Sequence, residues 1–174
     1  MLTAMTHDAS HAQRVSASRR IHASAADVFR LVADPAGHVR IDGSGMLEAA
    51  PDARPLTEVG QTFDMQMDRT PLNDIPGLVK YEVRNVVTRL EPDALIEWTL
   101  GPVGAEPFGH LYGWQLEAVA PDETIVTNYC DWSGITAELR ARRPDWPIVP
   151  VAMLERSVAN LEVLLTGDGA SLEA

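Results

Sequence analysis

The sequence predicts an α+β protein: one antiparallel sheet of about seven strands, two short helices after the first strand, and a long amphipathic helix near the C-terminal end. Three observations carry this expectation. Between residues 46 and 132, six stretches with strand character are separated by turn-formers such as Pro51-Asp52, Gly60, Glu91-Pro92-Asp93 and Pro121-Asp122-Glu123. Punctuation this dense favours an antiparallel meander over parallel βαβ crossovers. After Pro150, the residues Val151, Leu154, Val158, Leu161 and Leu165 recur at three- and four-residue steps, the signature of a helix with one buried face. Finally, 174 residues with 45% hydrophobic and 22% charged side chains make an ordinary globular composition with material for a single core.

Each element follows from local chemistry. Strand one is expected over 14–21, where Val15, Ala17, Arg19 and Ile21 alternate with Ser16, Ser18 and Arg20. Ser24, three residues ahead of Asp27, is a helix N-cap signal. Val28, Phe29, Leu31 and Val32 give that helix an apolar face, and Asp34-Pro35 ends it, because the residue before proline is pushed away from helical angles. A second short helix over 36–41 runs into the turn Gly43-Ser44-Gly45. Strands are then expected over 46–50, 61–69, 78–90, 94–100, 110–120 and 124–132, and Gly167 stops the final helix. Residues 1–13 show neither period and read as a flexible arm, and 167–174 as a frayed tail, leaving 14–166 as one domain.

Charge and composition exclude several function classes. Fourteen Lys and Arg against 25 Asp and Glu give a net charge of −11, a field that repels phosphate backbones, so no nucleic-acid partner is expected. No apolar run approaches the ~20 residues that span a bilayer, and the first residues lack the apolar stretch of a secretory signal, so the reading is cytoplasmic without membrane insertion. The single cysteine, Cys130, forms no intrachain disulfide and builds no cysteine metal site; a small buried hydrophobe is the favoured reading. Only His7 and His11 stand at i, i+4 spacing, without the intervening Glu of a metalloprotease helix, and no metal is expected. Gly101, Gly104 and Gly109 lack the strand-loop-helix context of a phosphate cradle, there is no Gly-x-Ser-x-Gly elbow, and no cofactor is expected.

The order of elements resembles the helix-grip fold of the SRPBCC superfamily, which includes START domains and the birch-pollen allergen. The run Ala25-Ala26-Asp27-Val28-Phe29 followed by Asp34-Pro35 resembles the first helix of its polyketide cyclase/dehydratase branch. Glu91-Pro92 ahead of Trp98, and Asp131-Trp132-Ser133-Gly134 ahead of Leu154, Ser157, Asn160 and Leu161, look like uncharacterised actinobacterial members of that branch. Ile41-Asp42 stands where the branch often has Trp-Asp. The resemblance implies a curved sheet wrapped around the terminal helix, with a cavity between them for an apolar small molecule.

Alternation then nominates the cavity wall. On the strand from His110, one face carries His110, Tyr112, Trp114 and Leu116, grading from a titratable group to an apolar floor as a pocket would. His110 is expected at a partly wet rim. Trp98 shares its face with Ile96 and Leu100, and Asn128 shares a face with Val126, Cys130 and Trp132. An amide there is costly unless paired, so Asn128 either bonds a neighbouring strand or meets a ligand. The expected ligand contacts are Trp98, His110, Tyr112, Trp114, Leu116, Asn128 and Trp132, faced by Leu154, Val158 and Leu161 of the last helix. The catalytic candidates are His110, Tyr112 and Asp131, the last with a surface or capping role as its plain reading. His38, Arg40 and Asp42 read as solvated charges near the entrance. The leading functional expectation is binding of an apolar small molecule, lipid-like or polyketide-like. The alternatives are a cyclase, aromatase or dehydratase-like enzyme that positions its substrate and assists with acid or base, and a protein-interaction module. A second copy of the chain, as a homodimer, is a further candidate partner.

Overall fold

The computed structural model describes residues 13–167. The chain runs β1 (Arg14–Ile21), α1 (Ala25–Val32), α2 (Pro35–Ile41), β2 (Leu47–Ala49), β3 (Thr62–Asp68), β4 (Lys80–Glu91), β5 (Leu95–Pro102), β6 (Leu111–Ala120), β7 (Glu123–Asp131), α3 (Ala137–Arg142) and α4 (Val151–Thr166). All seven strands form one sheet in the order β1-β7-β6-β5-β4-β3-β2, with every neighbouring pair antiparallel. The meander β2 to β7 is closed off by β1, which returns beside β7 in the register Arg14↔Asp131 to Ile21↔Thr124. The sheet curls into a half-barrel, and α4 crosses its concave side against β1 and β7. Apart from Gln13 and Gly167, the expected arm and tail lie outside the described residues.

The helix boundaries follow the capping signals. Ser24 Oγ accepts from the Asp27 backbone N–H and donates to Asp27 Oδ2, at 3.1 and 2.8 Å. Asp34 does not merely end α1: it becomes the N-cap of α2, accepting from Ala36 N–H at 3.0 Å with Pro35 at the first helical position. Gly167 closes α4 at φ 73°, a left-handed conformation that glycine adopts without a Cβ clash. The apolar face of the sheet, from Ala17 and Ile21 in β1 to Met65 and Met67 in β3, packs with Leu154, Val158 and Leu161 of α4 and Val28 and Val32 of α1. Fully burying a side chain such as Leu161 contributes ~1.5–3 kcal/mol.

Two features lie beyond what the sequence expectation covers. The outward face of β7 is not wholly solvated: Tyr129 is only 1% exposed. Its ring lies over Gly113, where a Cβ would stand 2.4 Å from Tyr129 Cζ. The Arg14 guanidinium stacks 3.8 Å above the ring, and the phenol donates to Glu97 Oε2 at 2.7 Å. The second feature is α3, capped by Thr136 but burying none of its residues. It lacks an apolar stripe, so periodicity is silent there. Among the described residues no helix is long and apolar enough to cross a membrane.

Candidate functional site

A cavity of about 530 Å³ lies between the concave sheet and α4, bounded by α2 on one side and roofed by the segment that joins α3 to α4. Met65 and Met67 of β3, Trp98 of β5 and Trp114 of β6 form its sheet wall, Leu154 faces them from α4, and Trp146, Ile148 and Val149 come from the roof. The gap is held open by a polar clamp between the end of α2 and α4. Gly43 N–H donates to Ser157 Oγ at 2.9 Å, Arg156 Nε donates to Gly43 O at 2.8 Å, and Asn160 Nδ2 reaches the carbonyls of Ile41 and Asp42 at 3.3 Å. At Gly43 a Cβ would meet Met153 O and Ser157 N at 2.4 Å, so only glycine permits this approach.

Two histidines line the cavity, and burial disfavours the charged form of both. His38 is turned inward, not solvated as expected: it is 5% exposed, stacked on Trp98 at 4.7 Å and 19°, with Phe63 at its edge. Its Nε2 lies 2.6 Å from the Val32 carbonyl; a carbonyl can only accept, which puts the proton on Nε2. Burial lowers its pKa. His110 is also buried, at 6% exposure, where a wet rim was expected. Trp146 of the roof covers it at 5.0 Å, Phe108 stacks at 6.0 Å, and Tyr112 meets its edge at 5.5 Å. Desolvation pushes its pKa down to about 4, and among the described residues its Nδ1 has no hydrogen-bond partner. Burial, and after it the neighbouring Cys130 thiol, raise the Tyr112 phenol above its ordinary range. Burial pushes Cys130 up to about 12, so its thiol stays protonated.

The expected contacts divide. Trp98, His110, Tyr112, Trp114, Asn128 and Leu154 are on the cavity wall. Asn128 does this while its Nδ2 donates to Gly113 O at 3.0 Å, which accounts for an amide among apolar neighbours. Leu116, Val158 and Leu161 are not on the wall; they share the sheet and helix faces expected of them but lie further along, in the closed core. Trp132 packs instead in a small cluster with Cys130 and Ile135, stacked on Trp146 at 6.4 Å. Asp131 Oδ1 accepts from Ser133 N–H at 2.9 Å and Ser133 Oγ at 2.6 Å, closing the turn after β7. It is a capping carboxylate, remote in role from His110 and Tyr112.

The cavity also has a polar end that the sequence reading missed. Arg69 is 8% exposed. It grips Asp74 in two-pronged fashion, Nε to Oδ1 and Nη2 to Oδ2, both at 2.8 Å, while Nη1 donates to Tyr81 Oη at 3.3 Å. Arg143, following α3, donates to the same Asp74 Oδ2 at 2.7 Å. Burial works against the Arg69 charge, but the bonds with Asp74 and Tyr81 outweigh it and raise its pKa. Arg69 first, and then Arg143, hold the Asp74 carboxyl well below the usual range. The available signal was alternation: Phe63, Met65, Met67 and Arg69 share one face. Among the described residues no group of three His, Cys, Asp or Glu could hold a metal ion.

A curled antiparallel sheet gripping a long helix, with a cavity between them, is the helix-grip fold, and solved structures share it. Protein Ms6760 from Mycobacterium smegmatis matches with TM-score 0.63 and 14% identity over 95% of this chain and 98% of that one. Protein CV1439 from Chromobacterium violaceum matches at 0.60 and 16%, over 88% and 97%. Norcoclaurine synthase from Thalictrum flavum, in complex with dopamine and hydroxybenzaldehyde, matches at 0.56 and 14%, over 98% and 97%. No family model matches the chain. In sequence it is 34% identical over 124 residues to Rv0088, an uncharacterised protein of Mycobacterium tuberculosis H37Rv, covering 71% of this chain and 50% of that protein. Its counterpart MT0096 in strain CDC 1551 is 33% identical over the same length. The chain thus spans about half the length of the curated relatives it matches.

Proposed function

We propose that the protein binds an apolar small molecule, ring-containing or lipid-like, in the cavity between sheet and α4, for carriage or sequestration. The observation that carries this reading is the cavity itself: about 530 Å³ falls within the ~300–1,000 Å³ of small-molecule sites, and its wall is built from methionines and indoles. Trp98 and Trp114 would stack on or edge a ring, Leu154 would face it, and His110, Tyr112 and Asn128 would supply neutral polar contacts. Native mass spectrometry of the purified protein should show a retained small molecule, and N-phenylnaphthylamine should bind with blue-shifted emission. A native monomer that holds no ligand and leaves the dye unshifted would remove the reading.

A cyclase or dehydratase-like activity of the polyketide branch is the second reading, favoured by the placement of His110 and Tyr112 on one cavity wall. Their protonation tells against it. An imidazole with a pKa of about 4 is a weak base near neutral pH, a phenol raised by burial is a reluctant acid, and Asp131 is committed to its turn. His110→Ala is therefore expected to change ligand affinity and to leave any reaction rate at saturating ligand unaltered. A loss of ~10²–10⁴ in turnover with intact binding would reverse the order of the two readings.

A further inference from the structure

We infer that the ligand is an amphipathic anion, an apolar body bearing a carboxylate or comparable oxyanion, seated with its charged end against Arg69 and Arg143. This rests on the proposed binding function and specifies its ligand. At one end of the cavity Arg69, Tyr81 and Arg143 meet its wall together. Both guanidiniums donate to the same oxygen, Asp74 Oδ2, at 2.8 and 2.7 Å, so the two cations share one carboxylate and a net positive charge is left over. In a chain of net charge −11, that surplus is local to this end of the cavity.

The hydrogen-bond inventory points the same way. A guanidinium has five N–H donors. Arg69 commits Nε, one Nη2 and one Nη1 hydrogen, and Arg143 commits one Nη2 hydrogen to Asp74. The Tyr81 oxygen accepts from Arg69, leaving its own hydrogen to donate. The cluster therefore retains donors on three side chains, and its one shared acceptor oxygen already takes two bonds. The other carboxylates on the wall, Asp42 and Glu82, make no ion pair with Arg69 or Arg143 among the described residues. Asp42 is occupied by the N–H groups of Ser44 and Leu47 and the Ser44 hydroxyl, Glu82 is exposed at the edge, and burial favours the uncharged forms of His38 and His110. A cation would be repelled here and a wholly apolar ligand would leave the donors unanswered; an oxyanion accepts from all three. Because Arg143 comes from the α3 end of the roof and Arg69 from the sheet, the same anion would tie roof to sheet over its own apolar body.

The test uses two dyes with one aromatic body, N-phenylnaphthylamine and its sulfonated counterpart anilinonaphthalenesulfonate, titrated by fluorescence into the whole protein. The sulfonate should bind about tenfold more tightly, and laurate should displace it where methyl laurate does not. Arg143→Gln, at a part-exposed side chain, should reduce the sulfonate-to-neutral affinity ratio by about tenfold, with Arg143→Lys restoring part of it. Asp74→Asn removes the competing carboxylate and should raise the ratio, an opposite sign that general loosening of the roof would not give. Equal affinities, with a ratio indifferent to both substitutions, would overturn the inference and leave the apolar-binding reading standing. Binding of neither dye would overturn both.

Discussion

The interface between sheet and α4 has two ends built in contrasting ways. Under α1 it is closed: Ile21, Val28, Val126 and Leu161 are wholly inaccessible, aliphatic side chains from β1, α1, β7 and α4 that interlock at the density of an organic crystal. Under α2 the same sheet and helix stand apart around a cavity of about 530 Å³. The difference lies in what sits between them. At the closed end α1 presents Val28 and Val32 to the gap. At the open end α2 is held to α4 through Gly43, Ser157 and Asn160, and this polar clamp fixes the spacing instead of letting the walls collapse. A fold can thus place its stability in one half of a shared interface and keep the other half for a guest.

The largest expected effect comes from the closed end. Leu161→Ala should cost ~2–5 kcal/mol in chemical denaturation, because neighbours on every side can only partly relax into the void. It should leave dye affinity near the wild-type value; a large affinity change would mean that the two ends communicate. The open end should answer to acid. For His110 the folded pKa of about 4 lies below the usual imidazole value, so between these limits the unfolded chain binds more protons and stability falls as pH is lowered. The loss should reach roughly 3 kcal/mol by the lower limit, and the shift of His38 has the same sign. Melting temperatures followed from neutral pH into this window, with His110→Phe as comparison, would check it: the substitution should flatten the slope, and an unchanged slope would place the acid response elsewhere.

How much of this was legible in the sequence depends on range. Strand faces are set by a local period of two, so Trp98, Tyr112 and Trp114 could be assigned to the concave side from neighbours alone. Capping and proline rules are equally local, and Ser24, Asp34-Pro35 and Gly167 mark helix ends where the structure has them. Position along a strand is not local. Leu116 lies on the same face as Trp114, yet it falls in the closed core, because what covers each level of the strand is decided by α1 and by the roof. His110 shows the same limit: Trp146, far along the chain and flanked by Asp145 and Pro147, buries it. Arg69 was the legible signal left unread, since a charged residue that continues the Phe63, Met65, Met67 face must find a partner or a ligand.

Leu154→Ala sharpens the contrast within α4. Leu154 borders space that is already empty, so its loss should cost ~1–2 kcal/mol, below the Leu161 value, since less packing is forfeited. It should also change dye affinity, which Leu161→Ala should not. Equal stability costs for the two would mean that the open end closes around its own side chains in solution.

The smallest effect should come from Asp131→Asn, and its smallness is informative. Asp131 was a catalytic candidate because it adjoins Trp132 at the end of β7, yet its Oδ1 is taken by both Ser133 donors. An asparagine keeps an acceptor oxygen of the same reach and tolerates the same turn, so the substitution trades a charge-assisted bond for a neutral one at a part-exposed site. The cost should be about 0.5–1 kcal/mol, with dye affinity and any pH dependence of binding unaltered. A group that moved protons for a ligand would behave otherwise: its amide would remove one limb of a pH profile while barely changing stability. Denaturation and pH-resolved dye titration of this one variant therefore separate a carboxylate that shapes the turn from one that serves the cavity, and loss of a pH limb would bring Asp131 back to the open end of the interface.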